Sequence, residues 1–171
     1  METSYRQQSP KNLGGSAEVI VLVEMHGDRR GARAELMFVY PAKILFRHCD
    51  PAQIVFYPRY FELLNDCIEA FFDEVLGFPF QEIHRDNAVP TAAINIEFNH
   101  PSRLGDTIEI RLNVTKVGRT SLTVAYQAVG DGVTRFKATS TLVFTGNGGK
   151  PQEWPKRVRE KLLECAKEDK S

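Results

Sequence analysis

Asp50 is the residue of this sequence best placed to do chemistry. It follows His48 and Cys49, precedes Pro51, and lies shortly ahead of Pro58, where a helical pattern opens. A carboxylate at a strand end just before a helix can serve as a nucleophile or general base beside a carbonyl carbon. The free N–H groups at the helix start then supply partial positive charge and hydrogen bonds to an oxyanion. Such a site needs one carboxylate and no Ser-His-Asp triad. Pro51 and Pro58 have no N–H, so neither can be the donor. An Asp before Pro is also an ordinary turn or capping residue, and local sequence leaves both readings open.

The two neighbours of Asp50 add less. His48 and Cys49 would point to opposite faces of a strand, and no second ligand pair lies nearby, so no metal is expected. Cys49 as a nucleophile would need a partner base and a thiolate-favouring setting; it reads as a small buried thiol. His48 reads as a satisfied structural histidine able to tune Asp50. The chain has no GxSxG elbow, no P-loop and no GxGxxG, which removes support for hydrolase, NTPase and dehydrogenase readings on other folds.

The elements that must position Asp50 follow from periodicity. Residues 17–25 and 36–46 read as strands, with Pro41 limiting the second to an edge or a break. From Phe61 the apolar residues fall at Leu64, Ile68, Phe71 or Phe72, and Val75, which is helical spacing. Pro58 suits the first turn of that helix and Gly77 its stop. After a loop over 77–90 the period becomes two. Ala92, Ile94, Ile96 and Phe98 share one face, and three more strands cover residues 108–115, 122–128 and 136–144. Val117-Gly118-Arg119-Thr120 and Val129-Gly130-Asp131-Gly132 are turns of hairpin length. A Gly/Pro-rich linker over 145–155 leads to a short helix with Val158, Leu162 and Cys165 on one side.

One early helix followed by an antiparallel meander is an α+β pattern in which the sheet buries the helix by curling around it. That is the hotdog architecture; a ferredoxin-like or cystatin-like domain fits the pattern nearly as well. The 171 residues suffice for one domain, read as a tail over 1–16, a domain over 17–145, and a linker with helix over 146–171. The 22 basic and 22 acidic residues cancel, which argues against nucleic-acid or membrane-surface partners. Three cysteines without ligand or redox spacing read as free thiols. With no signal-peptide pattern and no apolar run near the ~20 residues of a membrane helix, a cytoplasmic protein is expected.

The stretch FRHCDPAQIVFYPRYFELL from Phe46 resembles the signature of the 4-hydroxybenzoyl-CoA thioesterases. Asp50, Pro51, Ile54, Val55, Phe56, Tyr57 and Tyr60 carry the match, and the resemblance continues more loosely to Phe144. It implies a hotdog domain that hydrolyses an acyl-CoA thioester, with Asp50 as nucleophile or general base and the Tyr57 amide polarising the carbonyl. It also implies Phe56, Tyr60 and Arg119 as substrate contacts, Arg119 through the phosphates of coenzyme A. Arg59, Arg103, Lys116, Arg135 and Lys137 are further cations for such a rim. No cofactor is expected, coenzyme A being part of the substrate, and the site is expected at the interface of a homodimer or homotetramer. Gln53 departs from the signature, standing where many relatives have Gly. A non-catalytic acyl-CoA-binding protein is the alternative; a hotdog dehydratase would need a His–carboxylate arrangement not found here.

Overall fold

A computed structural model describes residues 21–22 and 35–166. The tail read over 1–16 and most of the strand read over 17–25 lie outside them. Of that strand the structure describes β1 (Val21–Leu22), which pairs antiparallel with β2 (Glu35–Leu36) in a ladder separate from the main sheet.

Helix α1 (Pro58–Glu74) forms where the 3.6-residue period begins, with Pro58 in its first turn. It buries Tyr60, Leu63, Leu64, Cys67, Ile68, Phe71 and Phe72. The buried stripe is therefore rotated from the spacing read through Phe61 and Val75, which are only half-buried. Gly77 ends the segment at a φ of +59°, a conformation that a residue with a Cβ adopts at a cost.

Five antiparallel strands wrap this helix in the order β3-β5-β6-β7-β4. They are β3 (Phe38–Lys43), β4 (Thr91–Phe98), β5 (Thr107–Val117), β6 (Ser121–Gly130) and β7 (Val133–Val143). The central strands alternate as a one-sided sheet must. Ile108, Ile110, Leu112 and Val114 of β5, Leu122, Val124, Tyr126 and Ala128 of β6, and Phe136, Ala138 and Leu142 of β7 are buried in one core with α1. This is the hotdog fold.

The edges differ from the interior. Pro41 lies opposite Glu109 in β3, which has β5 as its one neighbour in the sheet, the position that tolerates a missing N–H. At the other edge β4 pairs with β7, and among the described residues its expected apolar face is not fully covered: Ile94 and Phe98 are exposed. Two short features fell within stretches read as loop or strand: α2 (Phe80–Ile83), whose Ile83 is buried, and a one-turn 3₁₀ segment, Phe46–His48.

Helix α3 (Lys156–Ala166) buries Val158 and Leu162. Its Lys161 Nζ donates to the Val75 and Leu76 carbonyls at 3.3 and 2.8 Å, satisfying acceptors at the end of α1. Among the described residues no helix is long and apolar enough to cross a membrane.

Candidate functional site

Asp50 sits in a small hairpin in which Cys49 pairs with Val55. The Asp50 N–H donates to the Ile54 carbonyl at 3.0 Å, and the Gln53 N–H donates to the Asp50 carbonyl at 2.9 Å. Asp at the first position and Pro at the second suit that β-turn. Gln53 then adopts φ +63°, the left-handed conformation that closes this kind of loop and favours Gly. The Gly-to-Gln departure thus falls on the one residue of the loop whose backbone resists a side chain. Asp50 Oδ1 accepts the Ala52 N–H at 2.8 Å, and among the described residues no donor is bonded to Oδ2.

The return arm of the hairpin becomes the start of α1. The Phe56 N–H donates to the His48 carbonyl, the Arg59 N–H to the Phe56 carbonyl and the Tyr60 N–H to the Tyr57 carbonyl, at 2.9, 2.8 and 3.1 Å. Pro58 has no N–H to offer. The Tyr57 N–H is left: among the described residues it has no acceptor. The opening of α1 therefore presents one free amide, on the residue that the resemblance assigned to the carbonyl.

A second loop braces this arrangement. Arg103 bridges to Ile54, the Ser102 carbonyl accepts the Val55 N–H at 2.9 Å, and the Ser102 N–H donates to the Tyr60 hydroxyl at 3.2 Å. Ser102 is fully buried, and among the described residues its own hydroxyl has no partner. Arg135 holds the loop from β7, donating to the Pro101 carbonyl at 2.7 Å and pairing with Asp106 at 3.5 Å.

Aromatic rings line the same corner. Phe56 meets Tyr57 at 5.4 Å between centroids, Tyr57 meets Phe98 at 6.4 Å, and Phe98 meets Tyr60 at 5.6 Å. Tyr60 continues inward to Phe136 at 5.0 Å. Phe56, Tyr57 and Phe98 are about half exposed (48%, 58% and 44%), while Tyr60 is buried with its hydroxyl engaged. An apolar surface thus adjoins a carboxylate and a free N–H.

Asp50 lies in the hairpin whose return arm carries Phe56 and Tyr57 into the first turn of α1 with Tyr60, and Arg119 lies elsewhere. Arg119 occupies the β5–β6 turn, the length of β5 away, roughly 30 Å, and it pairs with Glu153 at 3.1 Å. The other cations sort by what they already hold. Arg135 is committed to Pro101 and Asp106; Arg59 pairs with Glu62; Lys137 faces Glu97 across the β4–β7 ladder. Arg103 is an exposed cation that bridges to Ile54 of the Asp50 hairpin. Phe98 and Ser102 have no sequence signal that groups them with Asp50, and Arg103 stands in the sequence as one of several rim cations, because only the fold brings their loop to the hairpin.

A cavity of about 310 Å³ opens elsewhere, between Tyr40, Phe80 and the carboxylates of Asp66, Glu69, Asp73 and Glu74. Burial, then the neighbouring Asp73 charge, raises the Glu74 carboxyl above its ordinary pKa. Walls of that sign would repel a phosphate-bearing ligand, so the cavity is no substitute for the Asp50 corner. Among the described residues no three His, Cys, Asp or Glu side chains are arranged to hold a metal ion.

Residues 53–135 match the thioesterase superfamily, a span that begins just past Asp50. No curated protein matches the chain in sequence. Among solved structures, a hypothetical protein from Aquifex aeolicus is similar, with 25% identity and a TM-score of 0.69 over 73% of this chain and 98% of that one. A gentisyl-coenzyme A thioesterase shares 25% identity, with a TM-score of 0.67 over 71% and 98% of the two chains. A 1,4-dihydroxy-2-naphthoyl-CoA thioesterase from Synechocystis, at 17% identity, has the same fold, with a TM-score of 0.70 over 74% and 96%.

Proposed function

We propose, starting from the likeness of residues 53–135 to the thioesterase superfamily, that this chain hydrolyses acyl-CoA thioesters at the Asp50 corner. The observation that carries the proposal is a Tyr57 amide without an acceptor among the described residues, on the return arm of the same hairpin that holds a carboxylate with one unengaged oxygen. A thioester carbonyl oxygen bound to that N–H would gain a hydrogen bond and the positive end of α1 as charge builds on it. Asp50 would then either attack the carbonyl carbon, expelling the thiolate of coenzyme A and leaving an acyl–Asp50 anhydride that water hydrolyses, or draw a proton from a water that attacks the carbonyl and expels the thiolate directly. The exposed faces of Phe56, Tyr57 and Phe98 offer an apolar seat for the acyl group. The proposed reaction draws on no cofactor.

The site is proposed to work in a homodimer or homotetramer. Support comes from β4, an open strand edge with Ile94 and Phe98 exposed beside Tyr57. A second copy would cover both the edge and the apolar surface. A monomeric mass in sedimentation would count against this part. Arg119 would touch a coenzyme A phosphate only if a second copy brought it there, and Arg103 is the nearer cation in one chain. The free thiols Cys49, Cys67 and Cys165 suit a cytoplasmic setting.

A second reading has one observation in its favour. The bond from Ala52 N–H to Asp50 Oδ1 is what a purely structural turn aspartate makes. A non-catalytic acyl-CoA-binding protein would need no more than that. Thiol release from a panel of aromatic and aliphatic acyl-CoAs separates the two: the enzyme reading expects turnover. Binding without turnover, unaffected by Asp50→Asn, would replace it with the binding reading.

A further inference from the structure

His48 is a buried titratable group for which the proposed chemistry has no use. It is 2% exposed and stands two residues before Asp50. Two donors approach its ring. The Leu45 N–H, at the opening of the turn Phe46–His48, lies 3.0 Å from Nδ1, and the Arg47 Nε–H lies 3.1 Å from Nε2. A neutral imidazole has one lone pair for the two of them, and an imidazolium has none. Arg47 is exposed and has water as another partner; the Leu45 N–H is folded into the turn. The lone pair therefore belongs on Nδ1 and the proton on Nε2. The His48 main chain is engaged as well, its carbonyl accepting the Phe56 N–H at 2.9 Å. One residue thus ties the entry of the Asp50 hairpin through its ring and the exit, next to Tyr57, through its carbonyl.

We infer that His48, as the neutral Nε2–H tautomer, is a positioning residue that holds the Asp50 carboxylate and the Tyr57 amide in register. The kinetic part of this rests on the thioesterase reading; the tautomer and the mechanical link do not. A second ring proton, added on Nδ1, would set one donor against another at Leu45 and place positive charge beside Arg47. The charged groups around the ring are Arg47 on its own turn and Arg59, Glu62 and Asp66 on α1. Burial first, then Arg47, holds the histidine below its ordinary pKa against the opposing pull of Glu62 and Asp66. The hairpin keeps its geometry in the neutral range and loosens as the solution is acidified.

The test compares wild type with His48→Asn, whose side-chain oxygen replaces the Nδ1 acceptor without titrating, and His48→Ala, which removes it. Nitrogen-15 spectra are recorded between about pH 5 and about pH 8, where histidines titrate. The Nε2–H tautomer is expected, with the Leu45 and Tyr57 amide signals moving at the His48 midpoint. With a hydrolysed acyl-CoA, His48→Ala lowers kcat by roughly tenfold to a hundredfold, as small misplacements do, and changes KM less than about twofold. His48→Asn restores most of kcat and lacks the acid limb of the wild type. Should His48→Ala fail to fold, His48→Asn and the wild-type spectra still decide. Leu45 and Tyr57 amides that ignore the His48 titration, or an acid limb unchanged in His48→Asn, would overturn the inference. In a protein without thioester turnover the function would fall, yet the spectra would still support or overturn the link.

Discussion

The two ends of the sheet are built differently. Where β5 begins, the Asp50 hairpin closes on a left-handed glutamine, Tyr57 keeps a free N–H, Ser102 buries an unpaired hydroxyl, and Phe46 is 83% exposed. Where β5 turns into β6, Trp154 stacks on Phe144 at 5.0 Å and meets Phe72 at 6.1 Å. Its main-chain N–H donates to the Arg119 carbonyl at 3.2 Å and its indole N–H to the Ser121 carbonyl at 3.3 Å. Lys161 seals the end of α1 beside it. The left-handed glutamine, the free Tyr57 amide and the Ser102 hydroxyl lie at one end, and the other end is packed. Features that cost stability persist where the surroundings hold them in place, and they cluster at working sites. The contrast therefore supports the Asp50 end as the working end and the Trp154 end as its anchor.

The largest effect that this contrast predicts is on turnover. Asp50→Asn keeps an oxygen for the Ala52 N–H but loses the nucleophile or base, so kcat should fall by about 10²- to 10⁴-fold with the thermal midpoint nearly unchanged. Thiol release and a melting curve on the same preparation check both halves. A variant that melts far below wild type would show Asp50 to be a fold residue, and the division between the ends would collapse.

At the anchor the expectation reverses. Trp154→Ala opens a cavity against Phe72 and Phe144 and should cost about 3–5 kcal/mol of stability, measured by urea unfolding. In the fraction still folded, kcat/KM should stay close to wild type. Turnover that collapsed while the fold survived would mean that the two ends are coupled.

Much of the core and half of the site were legible in the sequence, whereas Trp154 lies in a stretch that reads as linker. The period of 3.6 through Leu64, Ile68 and Phe71 and the period of two through residues 108–114 and 122–128 are local signals, and the fold obeys them. Asp50, Phe56, Tyr57 and Tyr60 lie close in sequence, so a chain that makes the hairpin and helix brings them together. Phe98, Ser102 and Arg103 reach the hairpin through β4 and the loop after it, a long-range contact without a sequence signature. The exposure of Ile94 and Phe98 was hidden for a related reason. Alternation in β4 marks an apolar face, but what covers that face depends on where the strand lies in the sheet. For Arg119 the sequence marks a turn but not which end of the sheet that turn closes.

A smaller effect tests the strain itself. The left-handed backbone at Gln53 costs a residue with a Cβ about 1–2 kcal/mol, and Gly gives back roughly half of that through its freer unfolded chain. Gln53→Gly should therefore raise stability by less than about 1 kcal/mol, read from the denaturant midpoint. A loss of stability would show that the glutamine side chain holds contacts worth more than its backbone costs, and that the working end is less strained than its geometry suggests.

The smallest effect is expected at Arg119. Its guanidinium is 77% exposed and pairs with a Glu153 that is 65% exposed, so Arg119→Ala should change stability by no more than about 0.5 kcal/mol. In a single chain it also lies far from Asp50, which predicts a KM for acyl-CoA within about twofold of wild type. A KM raised tenfold or more with kcat intact, about 1.4 kcal/mol of lost binding, would put a coenzyme A phosphate at this turn. Because no single chain can bring the two together, that result would require a second copy to lend its packed end to the first copy's open one. Anchor and working end would then be two halves of one site, and the contrast between them would hold only within one chain.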